Sequence, residues 1–437
     1  MQTQVLGPGA FQELPTAEAF SAVAEWSQTV LAPGNASELM ALALKHAVVQ
    51  RDVAHLIFPD DVQELPGLDD PPARPRAGRI STTAITPPSD DLARAIELLE
   101  RATRPVIVVG AGARADRDAV IELAEHIDAP VITTFKAKGL IGDDHPLGCG
   151  VLGRSGTPVG SAVLGRSDCL LVLGASFSNH TGISRNKLTI QVDTDGMTLG
   201  KFHPVDVPLW GQIGATVAQL RRHLAHVARP EQRIDVAGRW QRWRAEKEER
   251  AGMVDSAGAM HPAALFLALS SVVPDDAVIP VDVGNNTYAF GHCFESSGRQ
   301  DVLMSGYLGS IGFALPAALG AWAATRGSRK IVSVSGDGGL GQYLAEFTTA
   351  VKYGMAITHV VLNNNELAKI SREQVGALRP VWQTDLVNPD FSEFARLCGG
   401  AEFRIETAAD LEAGLLAALA VEGKPALVEV RTSGRWV

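Results

Sequence analysis

The sequence predicts an α/β protein built of consecutive doubly wound parallel-sheet domains, the first of them incomplete. Three observations carry that expectation. Short apolar runs suited to buried strands alternate with segments of helical composition along most of the chain. Glycine-rich turns follow several of these runs at their carboxyl ends, where open parallel sheets bind ligands. Residues 1–65 show fewer such elements, two helical segments and one short strand.

Composition sets the bounds. A chain of 437 residues, 46% hydrophobic and 20% charged, can bury two or three ordinary cores. Its net charge of -10 argues against nucleic acid or an anionic membrane as the main partner. No apolar run approaches the roughly 20 residues of a spanning helix. The first twenty residues hold no Lys or Arg and no long apolar core, so no secretory signal is expected. Four cysteines, Cys149, Cys169, Cys293 and Cys398, lie far apart without metal-type spacing and suit reduced thiols in a cytoplasmic protein. Cys169 sits inside an apolar run and reads as core.

In chain order, residues 1–65 read as the C-terminal part of a domain, with helices near 17–29 and 37–50 and a strand at 53–58. Repeated prolines and few apolar residues make 66–89 an extended linker. Residues 90–228 form a central domain with strands at 106–109, 131–134, 170–173 and 188–192. Residues 229–256 are a helical connection whose charged stretch, 232–250, shows no continuous apolar stripe and reads as solvated. Residues 257–437 alternate again, with strands at 277–281, 331–334, 359–362 and 427–430.

The most informative motif lies in the last domain. Gly336, Asp337 and Gly338 follow a buried strand, and twenty-four residues later Asn363 and Asn364 end the next one. Residues 344–352 between them have helical composition, so the segment is one strand–helix–strand unit. Parallel strands joined by a helix need about this separation. An acid and a carboxamide at neighbouring strand ends can each give one oxygen to a hard cation such as magnesium, which usually shares its shell with phosphates. A Gly-Asp-Gly turn in a chain with 43 glycines means little alone; the paired asparagines at this distance give it weight.

Other motifs are less specific. Gly110-Ala-Gly-Ala-Arg-Ala115 follows a strand and has dinucleotide glycine spacing, yet the next strand offers no acid for a ribose. Its glycines serve a tight turn or face a flavin bound differently. Gly150 to Gly156, Gly174 to Phe177 and Asp193 are separate turns or strand ends that could together line a nucleotide groove. Gly306 to Gly312 precedes a helix near Ala314, where Ser310 contacts a phosphate or simply caps the helix. Asp282 to Asn286 ends a strand and offers small polar groups to the same crevice. Glu373 is a site acid or a solvated helix residue.

Taken together, these residues resemble the pyruvate oxidase, acetolactate synthase and pyruvate dehydrogenase (quinone) group of thiamine diphosphate enzymes. The resemblance runs from Phe11-Gln12-Glu13 and Pro59-Asp-Asp-Val62, through the central domain, to the block from Asp282 to Gly399. It implies the thiamine diphosphate-enzyme fold, with residues 1–65 as part of a pyrimidine-binding domain, 90–228 as a central domain with a possible FAD site, and 257–437 as the diphosphate- and magnesium-binding domain.

By that resemblance Asp337 and Asn364 are magnesium ligands, with the Glu366 backbone carbonyl as a third. Gly309, Ser310 and Ile311 lie beneath the cofactor, Ile311 as an apolar wedge. Gly338 and Gly339, with Asn364, Asn365, Glu366, Leu367, Ala368, Lys369 and Ile370, close over the diphosphate. Ile370 and Glu373 occupy positions that in the oxidase branch face the reacting 2-oxo acid, and Phe11 and Gln12 are implied as catalytic with them. Gly150, Val151, Leu152 and Gly153, Gly174, Ala175, Ser176 and Phe177, and Asp193 match flavin-contacting segments. The implied activity is magnesium-dependent decarboxylation of a 2-oxo acid such as pyruvate, oxidase-type with electrons passed to FAD. An acetolactate synthase-like carboligase and a non-catalytic cofactor-binding subunit are the alternatives. The family works as a homodimer or homotetramer.

One departure matters. The family's activating glutamate, in the first domain, has no match: Glu13, Glu18, Glu25 and Glu38 do not stand in its context. A gene start placed too far downstream, another chain supplying that half, or loss of catalysis would each account for it. The expectation is that this chain alone binds cofactor poorly and catalyses little. Ending a few residues after its last strand, it is also expected to lack membrane activation.

Overall fold

A computed structural model describes residues 2–3, 7–67, 78–82, 84–178 and 181–436. Part of the segment expected as a linker, 68–77 and Thr83, lies outside the described residues. The chain divides into two compact units, Met1–Thr83 and Ala84–Val437.

The N-terminal unit holds a two-stranded parallel sheet, β1 (Trp26–Thr29) and β2 (Ala54–Ile57), with Trp26 opposite Ala54 and Thr29 opposite Ile57. The helices Thr16–Ser21, Pro33–Val49 and Asp60–Glu64 accompany it. The first expected helix is therefore shorter than its sequence suggested, and its second half is β1. Trp26 and Thr29 favour extended backbone, and pairing with β2 outweighs the weak helical pattern. No residue of either strand is fully buried, and Leu42, Leu44 and Val48 of the long helix are exposed.

The second unit carries two six-stranded sheets, parallel throughout. The first contains β3 (Pro105–Val109), β4 (Val131–Thr133), β5 (Gly148–Val151), β6 (Cys169–Leu173), β7 (Leu188–Asp193) and β8 (Val207–Trp210), in the order β5-β4-β3-β6-β7-β8. β3 is buried at every residue: Val106 and Val108 enter one core, Ile107 and Val109 the other. A strand covered by helices on both faces needs such a continuous apolar run. The order reverses between β3 and β6, and there the glycines of the 110–115 turn find their purpose. A Cβ on Gly110 would lie 2.1 Å from the Gly174 carbonyl oxygen, and the Gly112 amide donates to that oxygen at 3.1 Å. Close backbone approach, rather than ligand contact, explains Gly110.

The helix Pro230–Ala251 corrects the expectation of a solvated connection. Gln232, Val236, Trp240, Trp243 and Lys247 are buried along one stripe. Two polar members hid it. Gln232 donates to the carbonyls of Pro105 and Asp128, and Lys247 pairs with Glu295 and donates to the Cys293 carbonyl, so both are satisfied inside. Trp240 donates to the Gly148 carbonyl of β5 at 2.7 Å and Trp243 to that of His292 in the helix Asn285–Cys293 at 3.0 Å, so this helix bridges those two elements. A buried ion pair, Lys138 to Asp143 at 2.9 Å, reinforces the joint, because the Asp143 carboxylate also accepts from the Ser296 amide at 2.7 Å.

The second sheet contains β9 (Val278–Pro280), β10 (Asp301–Leu303), β11 (Ile331–Gly336), β12 (Ile357–Asn363), β13 (Ala401–Ile405) and β14 (Ala426–Arg431), in the order β10-β9-β11-β12-β14-β13. β11 and β12 pair in register from Ile331 opposite Ile357 to Gly336 opposite Leu362. Across that pair the His359 ring is held between two hydroxyls, Ser333 at Nδ1 (2.6 Å) and Ser335 at Nε2 (2.9 Å). The imidazole is fully enclosed, and burial pushes its pKa down to about 3.

Two outcomes follow from these contacts. Gly110→Ala should cost roughly 2 kcal/mol by overpacking, whereas Gly165→Ala, with nothing within 4 Å of its new methyl, should be neutral or slightly stabilising. Denaturant midpoints check both, and equal effects would contradict the close approach at Gly110. His359 stays neutral when folded and takes up a proton when unfolded. Its contribution is complete above its unfolded pKa, about 6.5, and is lost as pH falls from there towards about 3. At pH 5 the loss is about 2 kcal/mol. His359→Gln should flatten the fall in stability between pH 7 and 5 by about that amount, and an unchanged slope would contradict the account.

Candidate functional site

The carboxyl ends of β11 and β12 converge on one cavity of about 280 Å³. Gly336 ends β11 and Asp337 opens the helix Asp337–Gln342 directly, so the expected turn is a strand running into a helix. The Asp337 carboxylate is buried. Oδ1 accepts from the Gly338 amide at 2.9 Å, and Oδ2 accepts from the Asn364 amide at 3.2 Å and from Asn388 Nδ2 at 2.8 Å. Burial raises its pKa and these donors oppose the rise.

The two asparagines divide their work. Asn363 faces away from the cavity and donates to the Glu429 carboxylate at 2.8 Å. Asn364 lines the cavity, and its side-chain oxygen accepts from the Glu366 amide at 3.0 Å. Asn388 was not legible in the sequence. Its amide group also donates to the side-chain oxygens of Asn363 and Asn365, so one residue from a distant loop gathers the whole turn. An isolated Asn before Pro and Asp reads only as a turn signal.

Gly309, Ile311, Gly338, Gly339, Asn364 and Glu366 line the cavity, as do Leu367, Ala368, Lys369 and Ile370. Ser310 and Asn365 lie outside the lining. Ser310 is exposed and does not cap the helix Ala314–Thr325; the capping reading is corrected. Asp282 serves that place instead, its Oδ1 accepting from the amides of Phe313 at 3.0 Å and Val283 at 2.8 Å. Burial pushes the Asp282 carboxyl up to about 6. Its other oxygen has no hydrogen-bond partner among the described residues and would lie 1.9 Å from a Cβ at Gly339, so a side chain there would have to displace the carboxylate.

Two buried side-chain oxygens of residues lining this cavity, those of Asn285 and Thr432, have no hydrogen-bond partner among the described residues. Asn285 was expected from its motif; Thr432 and Ser433, from the strand-end after β14, were missed because nothing in the local sequence marks them. Orphaned polar atoms around a cavity are satisfied by a polar ligand or water. No group of three or more His, Cys, Asp or Glu capable of holding a metal occurs among the described residues. A cation here would therefore combine the Asp337 carboxylate with the Asn364 amide oxygen, a backbone carbonyl and oxygens of the ligand itself. That donor set suits magnesium and a diphosphate.

The remaining expected residues fall elsewhere. Glu373 is exposed on the helix Ala368–Gly376, paired to Lys369. At the first sheet, Gly150, Gly153 and Gly174 adopt positive φ at strand ends, and Asp193 ends β7 with Oδ1 accepting from the Asp195 amide. Val151, Leu152, Ala175 and Phe177 are buried, so their side chains serve the core, and Ser176 is exposed. Phe11 and Gln12 belong to the N-terminal unit, where Phe11 is exposed and Gln12 has a φ of 64°. Among the described residues no helix is long and apolar enough to cross a membrane.

Known proteins point the same way. The family model described as "Thiamine pyrophosphate enzyme, central domain" matches residues 92–220, and "Thiamine pyrophosphate enzyme, C-terminal TPP binding domain" matches residues 282–430. The chain is 29% identical to "Putative thiamine pyrophosphate-containing protein YdaP" of Bacillus subtilis (strain 168), over 97% of this chain and 73% of that one. It is 28% identical to an acetolactate synthase of Mycobacterium bovis, over 97% of this chain and 71% of that one. It is 30% identical to the acetolactate synthase large subunit of Parasynechococcus marenigrum (strain WH8102), over 76% of this chain and 55% of that one. The chain thus spans 55% to 73% of the lengths of these relatives. Both matched segments are parallel-sheet domains, and the second holds the cavity built around Asp337 and Asn364. The chain belongs to the thiamine pyrophosphate enzyme family, of which it carries the central and C-terminal domains.

Proposed function

We propose that the cavity binds thiamine diphosphate through magnesium and serves decarboxylation of a 2-oxo acid. The observation that carries this is the buried Asp337 carboxylate beside Asn364, in a cavity where polar atoms of Asn285 and Thr432 have no partner among the described residues. Asp337, Asn364 and the Glu366 carbonyl would hold the cation on the diphosphate. Bound there, the cofactor supplies a carbon nucleophile and an electron sink for the departing carbon dioxide. Ile311 gives an apolar support for the ring, while Leu367, Ala368 and Ile370 keep water from the reacting end. Lys369 holds Glu373 deprotonated, its hydrogen bond and charge keeping that carboxyl below the usual range.

The fate of the electrons separates two readings. In the oxidase-type reading they pass to FAD at the central domain, with Gly153, Gly174, Ser176 and Asp193 at the ligand; Ile370 followed by Glu373 supports it. In the carboligase reading the carbon attacks a second oxo compound, and the acetolactate synthases among the relatives support that. The protein would assemble as a homodimer or homotetramer in the cytoplasm.

Calorimetric titration with thiamine diphosphate should give binding at least about tenfold tighter with magnesium than with a chelator, the scale of one lost charged ligand. Asp337→Asn should abolish that difference while leaving the denaturant midpoint near wild type. Magnesium-independent binding, or an unaffected Asp337→Asn, would refute the reading. Flavin absorption bands in the purified protein support the oxidase type, and acetolactate formed from pyruvate supports the carboligase.

A further inference from the structure

Asn388 is carried to the buried acid by the chain on either side of it. Residues 384–386 run antiparallel to 365–367: the Leu386 amide donates to the Asn365 carbonyl at 2.8 Å, and the Leu367 amide to the Thr384 carbonyl at 2.7 Å. Ser371 Oγ, on the helix Ala368–Gly376, donates to Thr384 Oγ1 at 2.8 Å and holds the same segment. On the other side, Asp390 caps the helix Phe391–Leu397 by accepting from the Glu393 amide at 2.9 Å. Between these anchors Asn388 Nδ2 meets three oxygens, Asp337 Oδ2 at 2.8 Å, Asn363 Oδ1 at 3.0 Å and Asn365 Oδ1 at 3.1 Å. All three can only accept, so the donating end of the Asn388 amide must face the acid.

These contacts use up acceptor sites on Asp337. A carboxylate offers about four over its two oxygens. Oδ2 gives one to the Asn364 amide at 3.2 Å and the other to Asn388. Among the hydrogen bonds of the described residues, Oδ1 accepts only from the Gly338 amide, at 2.9 Å, and so keeps a site. Asn364 Oδ1 likewise gives one site to the Glu366 amide at 3.0 Å and keeps one. The side chains therefore offer a cation single oxygens from separate residues. Without Asn388, Oδ2 would regain a site, and Asp337 could close on a cation with both oxygens.

That difference bears on the choice of metal. Magnesium takes about six oxygens at about 2.1 Å and holds them to a strict octahedron. Calcium takes about six to eight at about 2.3–2.6 Å, and it accepts bidentate carboxylates in a looser shell. We propose that Asn388 sets the identity of the cation: by occupying Oδ2 it confines Asp337 to one metal-binding oxygen and favours magnesium over calcium. Asn388 is a positioning residue, because it touches the acid from outside the cavity lining. The inference rests on the cavity holding a diphosphate through a divalent cation, and adds what selects that cation.

Calorimetric titration of the full chain with thiamine diphosphate, in magnesium and separately in calcium, gives a ratio of affinities for each protein. Asn388→Ala should move that ratio about tenfold towards calcium relative to wild type, the scale of one added charged contact. Asn388→Asp, which cannot donate while ionised, should move it the same way while tightening binding in both metals. A chain that is merely loosened loses affinity in both metals alike, so an unchanged ratio in these variants overturns the proposal. The wild type gives a second test that needs no variant. In crystals grown with magnesium and thiamine diphosphate, the metal should bind Asp337 through Oδ1 alone, with Asn388 still on Oδ2. Both Asp337 oxygens in the metal shell would overturn the proposal. Cation-independent binding of thiamine diphosphate to the wild type would instead refute the broader reading of the site, and this inference with it.

Discussion

The parallel pairing of β11 with β12 is the constraint on which the site depends. Their register sets Gly336 beside Leu362, so the next residues on each strand, Asp337 and the Asn363–Asn364 pair, emerge side by side. A slip of one residue would turn the Asn364 amide away from the Asp337 carboxylate it meets at 3.2 Å. The register is over-determined from behind by His359 between Ser333 and Ser335 and from the far side by Glu429 of β14 holding Asn363. The rigid sheet places the acid; loops bring the rest. Asn388 reaches the Asp337 carboxylate and Thr432 the cavity from distant segments, and Asp282 fixes the backbone at Phe313 next to Ile311.

The sequence made the repeating strand–helix pattern legible because the central strands are buried on both faces and so read as unbroken apolar runs. Val106 to Val109 and Leu170 to Leu173 are such runs, with every residue buried. The strands nearer the sheet edges escaped notice for the same reason inverted. Gly148–Val151 contains two glycines, Val207–Trp210 alternates buried with exposed residues around a proline, and Asp301–Leu303 spans three residues. None carries enough apolar length to announce itself.

The site was legible where its chemistry is local. Asp337 and Asn364 stand at strand ends marked by glycine and asparagine, a short-range signal, whereas Gly309, Ile311 and the segment from Glu366 to Ile370, which line the same cavity, were expected from the family resemblance alone. Asn388, Thr432 and Ser433 were not, since their roles exist only after the chain returns to the cavity. The buried face of the helix Pro230–Ala251 was hidden by its own polar members, whose partners lie far off in sequence. Gly110 was ambiguous for a similar reason: a glycine needed for a ligand and one needed for a neighbouring backbone look alike until Gly174 is seen against it.

The central claim is that one divalent cation, held by Asp337 and Asn364, ties a diphosphate to the ends of β11 and β12. Anomalous diffraction from crystals grown with manganese and thiamine diphosphate measures this directly. The account predicts a single strong manganese peak within coordination distance of an Asp337 carboxylate oxygen and the Asn364 side-chain oxygen, with diphosphate density completing its shell. A manganese peak elsewhere, or cofactor density in the cavity without a metal at these residues, would contradict it.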